Sequence, residues 1–303
     1  MNKMLLFLAT EKGYKVLETV YKYNKSIIGI VSTFKEVNVK DSFSDRIKGF
    51  CIKNNLTFIH WNDLKNSLFN DIIKYQITCA IAIGWRYIIP LEINNYLKTD
   101  LIIFHDSLLP RFRGFSPTPT AILCDEKEIG MSVLYATKYI DRGPIIIQKK
   151  FTLTNEMYIY DVIQVQTRLY CDAIIEVIRM IENRNISIFI QDESKATYSI
   201  WRDIDDCHID WNFSSKAIYN LIRAVGYPFT GAFAYYNDKK VFVWKAEIAE
   251  DLVFEKRDVG KIWSIDEKDN PTVVCGAGML KLTNVTDENN NKVLFNYLRK
   301  RFN

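Results

Sequence analysis

Short apolar runs that alternate with helix-like segments constrain the fold of this chain most strongly. Residues 4–9, 26–32, 79–83 and 100–104 are rich in Val, Ile, Leu and Phe without regular polar alternation, as is typical of strands buried on both faces. The segment 14–23 between the first two runs has helical spacing. Strands that alternate with helices indicate βαβ units. The sequence therefore predicts an α/β fold with an open, mostly parallel, Rossmann-like sheet.

The second half of the chain has a different pattern. A long helix is predicted over 157–183, and the polar stretch 191–206 follows it as the best domain boundary. A helix over 214–224 and several short strands with turn signals come next, which indicates a small β-barrel or sandwich. We therefore predict three segments: a catalytic domain at 1–190, a linker at 191–210 and a smaller β-rich C-terminal domain at 211–303.

Composition argues against several classes of protein. The net charge is only +4, from 40 basic and 36 acidic residues that are interspersed along the chain, so a nucleic-acid partner is not favoured. The six cysteines form no CxxC pair, and with three histidines in the chain we expect no metal site. Cysteines scattered in this way are typical of the reduced, buried thiols of a cytosolic protein.

The first apolar run, residues 4–9, is too short to span a bilayer and lacks a signal-peptide cleavage site. It reads instead as a buried first strand. We expect a cytoplasmic protein with no membrane partner.

Polar residues stand where two predicted strands end. His105 follows the run 100–104, and the loop 84–90 follows the run 79–83; ligands bind beyond the carboxyl ends of such strands. Histidine is the usual acid or base near neutral pH. Asp141 lies in a tight Gly-Pro loop before another apolar strand, and its carboxylate could pair with His105 and orient it. On these features alone, two alternatives remain: His105 only caps a strand, or the loop with Asp141 is an ordinary surface turn.

These residues resemble a known family, the tetrahydrofolate-dependent formyltransferases. The family pattern is Asn-x-His-x-Ser-Leu-Leu-Pro, a following Arg-Gly, and x-Asp-x-Gly before a strand. The resemblance extends from the first strand to at least Phe233 and includes 209–211 and 222–232. The residues that match the pattern are His105, Ser107, Leu108, Leu109, Pro110, Arg113, Gly114, Asp141 and Gly143.

The resemblance implies a formyltransferase fold, with His105 and Asp141 as catalytic residues and N10-formyltetrahydrofolate as the co-substrate. It also implies that the loops 84–90 and 136–141 bind the folate. Trp85 and Tyr87 could alternatively be packing residues. The candidate folate-binding residues are Gly84, Trp85, Arg86, Tyr87, Ile88, Tyr139 and Ile140.

One position departs from the family pattern. The family asparagine falls at position 103, where this chain has Ile103. In the family that amide steadies the oxyanion of the tetrahedral intermediate, and removing such a donor costs about 100- to 1000-fold in rate. Three interpretations stay open: His105 or a backbone amide replaces the amide, the acyl donor is not a formyl-folate, or the protein is a catalytically silent binder.

The acceptor has to be inferred from the second half. Segments 196–203 and 209–211 resemble sugar N-formyltransferases. An arginine beside aromatic rings suits a nucleotide diphosphate. Alternatively, this stretch is a linker held in place by the packing of its aromatic rings. We expect formyl transfer to a nucleotide-linked amino sugar, as in lipopolysaccharide O-antigen biosynthesis, by a homodimer. Methionyl-tRNA formyltransferase is the alternative. The candidate substrate-binding residues are Ser107, Leu109, Arg113, Gly114, Tyr198, Trp201 and Arg202.

Overall fold

The computed structural model describes residues 2–35, 43–295 and 297–303. The helices are α1 (Thr10–Asn24), α2 (Ser44–Lys53), α3 (Trp61–Lys74), α4 (Pro117–Leu123), α5 (Ile159–Glu182) and α6 (Ser215–Val225). The strands are β1 (Met4–Leu8), β2 (Ile28–Ser32), β3 (Cys79–Ile83), β4 (Ile102–His105), β5 (Arg113–Gly114), β6 (Glu128–Tyr135), β7 (Ile145–Thr152), β8 (Tyr198–Ser199), β9 (Ala232–Tyr236), β10 (Lys239–Ala249), β11 (Ile262–Ile265), β12 (Pro271–Val274) and β13 (Met279–Asp287).

The chain divides into two compact units that interleave in sequence. Unit 1 comprises Met1–Pro117, Glu128–Thr152 and Val162–Ile200, and unit 2 comprises the remaining segments. The boundaries predicted from the sequence at 190 and 210 stay a prediction.

A six-stranded sheet forms the centre of unit 1, in the order β2-β1-β3-β4-β6-β7. The first four strands run parallel, and β6 and β7 add antiparallel strands at one edge. The mostly parallel α/β fold predicted from the sequence is therefore confirmed. The chain order reverses between β1 and β3, which is the kind of switch point where such sheets bind ligands.

Helices cover both faces of this sheet. The evidence is that every side chain of the interior strand β1 is buried, although alternate residues point to opposite faces. Met4, Leu6 and Leu8 pack with α1 and α5, whereas Leu5 and Phe7 pack with α3. Burying each of these large side chains contributes about 1.5–3 kcal/mol.

Two expectations need correction. Strand β4 ends on His105, which pairs with Ser132 of β6, so this histidine is the last residue of the strand rather than the first residue after it. The cysteines are all free, but only four of the six are buried: Cys124 is exposed and Cys171 is half-buried.

Unit 2 contains a five-stranded antiparallel sheet in the order β11-β12-β13-β10-β9. Helix α6 begins at the N-cap Ser214, whose hydroxyl accepts from the Ala217 amide, and it packs on β10. The predicted β-rich C-terminal region is confirmed. Within the described ranges, no helix of either unit is both long and apolar enough to cross a membrane.

Candidate active site

His105 and Asp141 lie together at the carboxyl end of β4. His105 Nδ1 is 3.5 Å from Asp141 Oδ2, and both side chains are about nine-tenths buried. His105 Nε2 lies 3.0 Å from the carbonyl oxygen of Phe112. A carbonyl can only accept, so Nε2 carries a proton, and a second proton on Nδ1 turns the approach to Asp141 into an ion pair.

The Asp141 carboxylate is aimed by its own backbone and by two neighbours. Asp141 adopts φ +54, a left-handed conformation that aspartate tolerates better than most residues. The amide of Gly114 donates to its Oδ2 at 2.8 Å. The side-chain amide of Gln191 donates to the carbonyls of Asp141 and Gly143, each at 2.8 Å. The direction of the carboxylate is therefore fixed before any ligand binds.

Arg113, a predicted substrate-binding residue, is fully buried. Its Nε and Nη2 both donate to the Gln191 side-chain oxygen, at 3.2 and 2.8 Å. Its Nη1 and Nη2 form a fork with the Glu193 carboxylate, at 2.8 and 2.7 Å. These contacts connect β5 to the segment 191–193. They also hold the Gln191 side chain, whose amide binds the Asp141 loop.

The turn after β4 contains Ser107 and Leu109, which are also buried. The Ser107 hydroxyl donates to the Arg111 carbonyl at 2.6 Å, and the Ser132 hydroxyl donates to the Ser107 carbonyl at 2.7 Å. The Leu109 carbonyl accepts from the Gln148 amide at 2.7 Å. These contacts shape the turn, and substrate binding by Ser107 and Leu109 stays a prediction.

Ile103 is packed among hydrocarbon side chains where the family pattern has an amide. It is partly buried against Leu109, Leu134 and Ile145. Hydrocarbon at this position donates no hydrogen bond to a ligand.

The predicted folate loops present apolar surface. Tyr87, Ile88, Tyr139 and Ile140 are all at least half exposed, and Arg86 is exposed as well. Gly84 adopts φ +64 directly after β3, and a Cβ there would stand 2.7 Å from the Ala9 carbonyl oxygen.

Trp85 instead turns into the core of unit 1. Its ring contacts Phe7, Phe34 and Trp61 at centroid distances of 5.0–5.3 Å. Its buried Nε1 has no hydrogen-bond partner in the described part of the chain.

The remaining predicted acceptor residues lie in different units. Tyr198 belongs to unit 1, is exposed, and accepts from Arg142 Nη2 at 2.6 Å. The guanidinium groups of Arg113 and Arg142 lower the pKa of the Tyr198 phenol. Trp201 and Arg202 belong to unit 2; Trp201 is exposed, and the buried Nε of Arg202 has no partner among the described residues.

Sequence reasoning missed a polar cluster beside His105. Asp106 Oδ1 is 2.7 Å from Lys12 Nζ and accepts from the Tyr170 hydroxyl at 2.5 Å. Lys12 also donates to Gln166 at 2.9 Å. The three partners come from α1 and α5, far away in sequence, and no local motif indicates such a contact. Gln191 and Arg142 were missed for the same reason.

An imidazole that meets a carboxylate at the carboxyl ends of the parallel strands has the chemistry of an acid–base pair. Comparison with known families supplies the class. Residues 18–177 match the family described as formyl transferase, and residues 203–301 match the formyl transferase C-terminal domain. The first match alone covers more than half of the chain, so this protein belongs to the formyl transferase family and is a transferase of formyl groups.

Individual relatives are distant. A methionyl-tRNA formyltransferase of Fusobacterium nucleatum is 26% identical over 279 residues, covering 90% of this chain and 88% of that protein. The N-formyltransferase from Helicobacter canadensis, solved with folinic acid and dTDP-3-aminofucose, is 20% identical with a TM-score of 0.71, covering 93% of this chain and 99% of that one.

WlaRD, a sugar 3N-formyl transferase solved with dTDP and 5-N-formyl-THF, is also 20% identical. Its TM-score is 0.70, and the match covers 93% of this chain and 97% of that one. At this identity the two structural likenesses show the fold.

Proposed function

We propose that this formyl transferase moves a formyl group from N10-formyltetrahydrofolate to the amine of a nucleotide-linked amino-deoxysugar. His105 and Asp141 are the catalytic residues in this proposal. The observation that carries it is the 3.5 Å approach of the imidazole to a carboxylate whose direction the backbone already fixes.

In the proposed reaction, the neutral amine of the acceptor attacks the formyl carbon. A carbon–nitrogen bond forms to the amine, and the bond between the formyl carbon and N10 of the folate breaks. Asp141 accepts the proton that the amine loses, and His105 stabilises the charge on the formyl oxygen and passes a proton to N10. One proton moves from amine to N10, so the products are a formamide and tetrahydrofolate.

The chain's own residues fit a folate at this site. Tyr87, Ile88, Tyr139 and Ile140 expose apolar and aromatic surface on two loops of unit 1, which suits a planar ring system. The two solved neighbours that bind folinic acid or 5-N-formyl-THF support the same ligand class.

A nucleotide sugar is the acceptor best supported. Arg142 follows Asp141 directly and donates a hydrogen bond to the hydroxyl of the exposed Tyr198. A guanidinium beside an aromatic ring suits a phosphate next to a base or sugar. The named neighbours bind dTDP or dTDP-3-aminofucose. A net charge of +4 over 303 residues is small for a protein that binds tRNA.

Methionyl-tRNA is the second candidate acceptor, because the Fusobacterium relative covers nine-tenths of this chain. The two candidates differ in how acceptor binding responds to salt. Binding that depends on many phosphate contacts loses about three to five orders of magnitude between 50 and 200 mM salt, whereas a nucleotide diphosphate loses much less.

The test measures tetrahydrofolate release from N10-formyltetrahydrofolate with a panel of nucleotide-linked amino sugars and with charged initiator tRNA. We expect turnover with a sugar nucleotide, and a loss of at least 100-fold in His105→Asn and Asp141→Asn. His60→Asn is the matched control: His60 Nδ1 caps α3 by accepting from the Asn62 amide, and asparagine caps equally well. Turnover near that of the wild type in both site variants would reject the catalytic assignment. Turnover with tRNA alone would reject the acceptor.

A further inference from the structure

The cluster around Asp106 holds a carboxylate in one position. Lys12 Nζ and the Tyr170 hydroxyl both approach Oδ1, at 2.7 and 2.5 Å. The Gln166 side chain accepts from Lys12 at 2.9 Å and donates to the Gly130 carbonyl at 3.1 Å. Every contact to the carboxylate therefore comes from a group that is itself held in place.

The carboxylate at the centre of this cluster is only partly buried, whereas its partners are buried. The side chain of Lys12 is 7% exposed and Tyr170 is buried, yet the side chain of Asp106 keeps 30% of its surface exposed. The contacts from Lys12 and Tyr170 both engage Oδ1. Burying a lysine costs several kcal/mol, and an ion pair that includes it is weak evidence for stability. A carboxylate that is fixed through one oxygen and keeps part of its surface exposed is the arrangement expected of a preorganised binding group.

Asp106 also lies close to the catalytic pair. It follows His105 in the chain, and burial together with the charges of Asp106 and Asp141 raises the pKa of Tyr170 well above its usual value. Burial raises the pKa of Asp106, but Lys12 and Tyr170 outweigh that effect and leave it below its usual value. Asp106 is therefore ionised at neutral pH.

We propose that Asp106 is a specificity-determining residue whose Oδ2 accepts a hydrogen bond from the acceptor's ammonium group. This inference rests on the proposed function, because it names the group that Asp106 recognises on the same acceptor. The acceptor binds as a cation and releases one proton to solvent, which gives the neutral amine of the proposed reaction. Asp106 keeps its hydrogen bond to a remaining N–H while the lone pair turns toward the formyl carbon, and Asp141 accepts the proton that the amine loses on attack. Acceptors with a hydroxyl in place of the amine bind less tightly because a neutral donor bonds a carboxylate more weakly.

The test compares the binding of an amino sugar nucleotide and its hydroxyl counterpart by calorimetry. The first pair is dTDP-3-aminofucose and dTDP-fucose, followed by pairs from the acceptor panel. In the wild type we expect the amine to bind roughly 10- to 100-fold more tightly. Asp106→Asn should reduce this ratio by about tenfold and raise the KM for the acceptor, while the KM for the folate stays within about twofold. The surface pair Glu128–Lys150 of the same sheet supplies the control Glu128→Gln, which should change neither quantity.

If Asp106→Asn fails to fold because Lys12 loses its partner, the double variant Lys12→Met, Asp106→Asn removes both charges and the same ratio is measured. An unchanged ratio in a folded variant, with an active wild type, would overturn the role of Asp106 alone. A wild type that neither binds nor turns over any amino sugar nucleotide would overturn the proposed function and this inference together.

Discussion

Substituting Gly114 with alanine tests how the Asp141 carboxylate is aimed. Gly114 adopts φ +98, and a Cβ there would stand 2.6 Å from the Ser199 carbonyl oxygen. Normal contact needs about 3.5 Å, so the paired segments β5 and β8 have to separate by roughly 1 Å. The left-handed backbone conformation costs a further ~1–3 kcal/mol for a residue with a side chain.

The same substitution displaces the hydrogen bond that Gly114 donates to Asp141 Oδ2. That bond is 2.8 Å long, and a shift of roughly 1 Å takes it beyond the hydrogen-bonding range. Asp141 then loses its fixed direction toward His105. Because a misplacement of about 1 Å can cost 100-fold in rate, we expect kcat to fall about 100-fold and the melting temperature to fall as well.

The assay is steady-state tetrahydrofolate release together with thermal unfolding, and Gly49→Ala is the matched control. Gly49 lies inside α2, and no residue of the described ranges comes within 4 Å of the place a Cβ would take, so alanine there should stabilise the helix by up to about 1 kcal/mol and leave kcat unchanged. A Gly114→Ala protein that is folded, destabilised, and has kcat within twofold of the wild type would refute the idea that this amide aims the carboxylate.

Three further outcomes are expected. Ile103→Asn should raise kcat about tenfold or more by restoring an oxyanion donor, at a cost of about 1–3 kcal/mol in unfolding free energy measured in urea; an unchanged kcat contradicts this. Arg113→Lys should lower stability by about 1–3 kcal/mol, since lysine cannot form the fork, and urea unfolding with an unchanged midpoint would contradict it. Burial raises the pKa of Asp125, but Lys127 and Lys216 outweigh it and hold that pKa at about 2. The stabilisation is therefore present above the ordinary value near 4 and is lost as pH falls through 2. The difference in melting temperature between the wild type and Asp125→Asn should shrink over that window; a constant difference would refute the pairing.

Local rules placed His105 and Asp141 at the sheet's edge but left open a strand-capping histidine and an ordinary surface turn, and the resemblance to the family pattern predicted that the two residues act together. A histidine at the end of an apolar run is expected at the carboxyl end of a buried strand. An aspartate in a Gly-Pro loop is expected just before the next strand. The role of Arg113 was not predictable in the same way. An arginine after a turn suggests a phosphate ligand. Only the contacts with Gln191 and Glu193 show that Arg113 is buried and holds the Asp141 loop in place.

The cluster of Lys12 and Asp106 shows the limit of such reasoning. Its members are separated by more than ninety positions in the chain, and a lysine in the first turn of α1 reads as an ordinary exposed residue. The contact exists because the carboxyl ends of β1 and β4 lie at the same edge of the sheet. Strand order, which the pattern of apolar runs does not give, decides the contact.

The left-handed backbone at Asp141 separates two tasks: orienting the carboxylate and recognising the acceptor. The direction of the carboxylate is set by main-chain groups of the loop and by Gly114 and Gln191. The neighbouring side chain of Arg142 is therefore free to vary over evolutionary time without re-aiming the reactive group. A scaffold of this kind can change its preferred acceptor through a few surface substitutions while its chemistry stays the same.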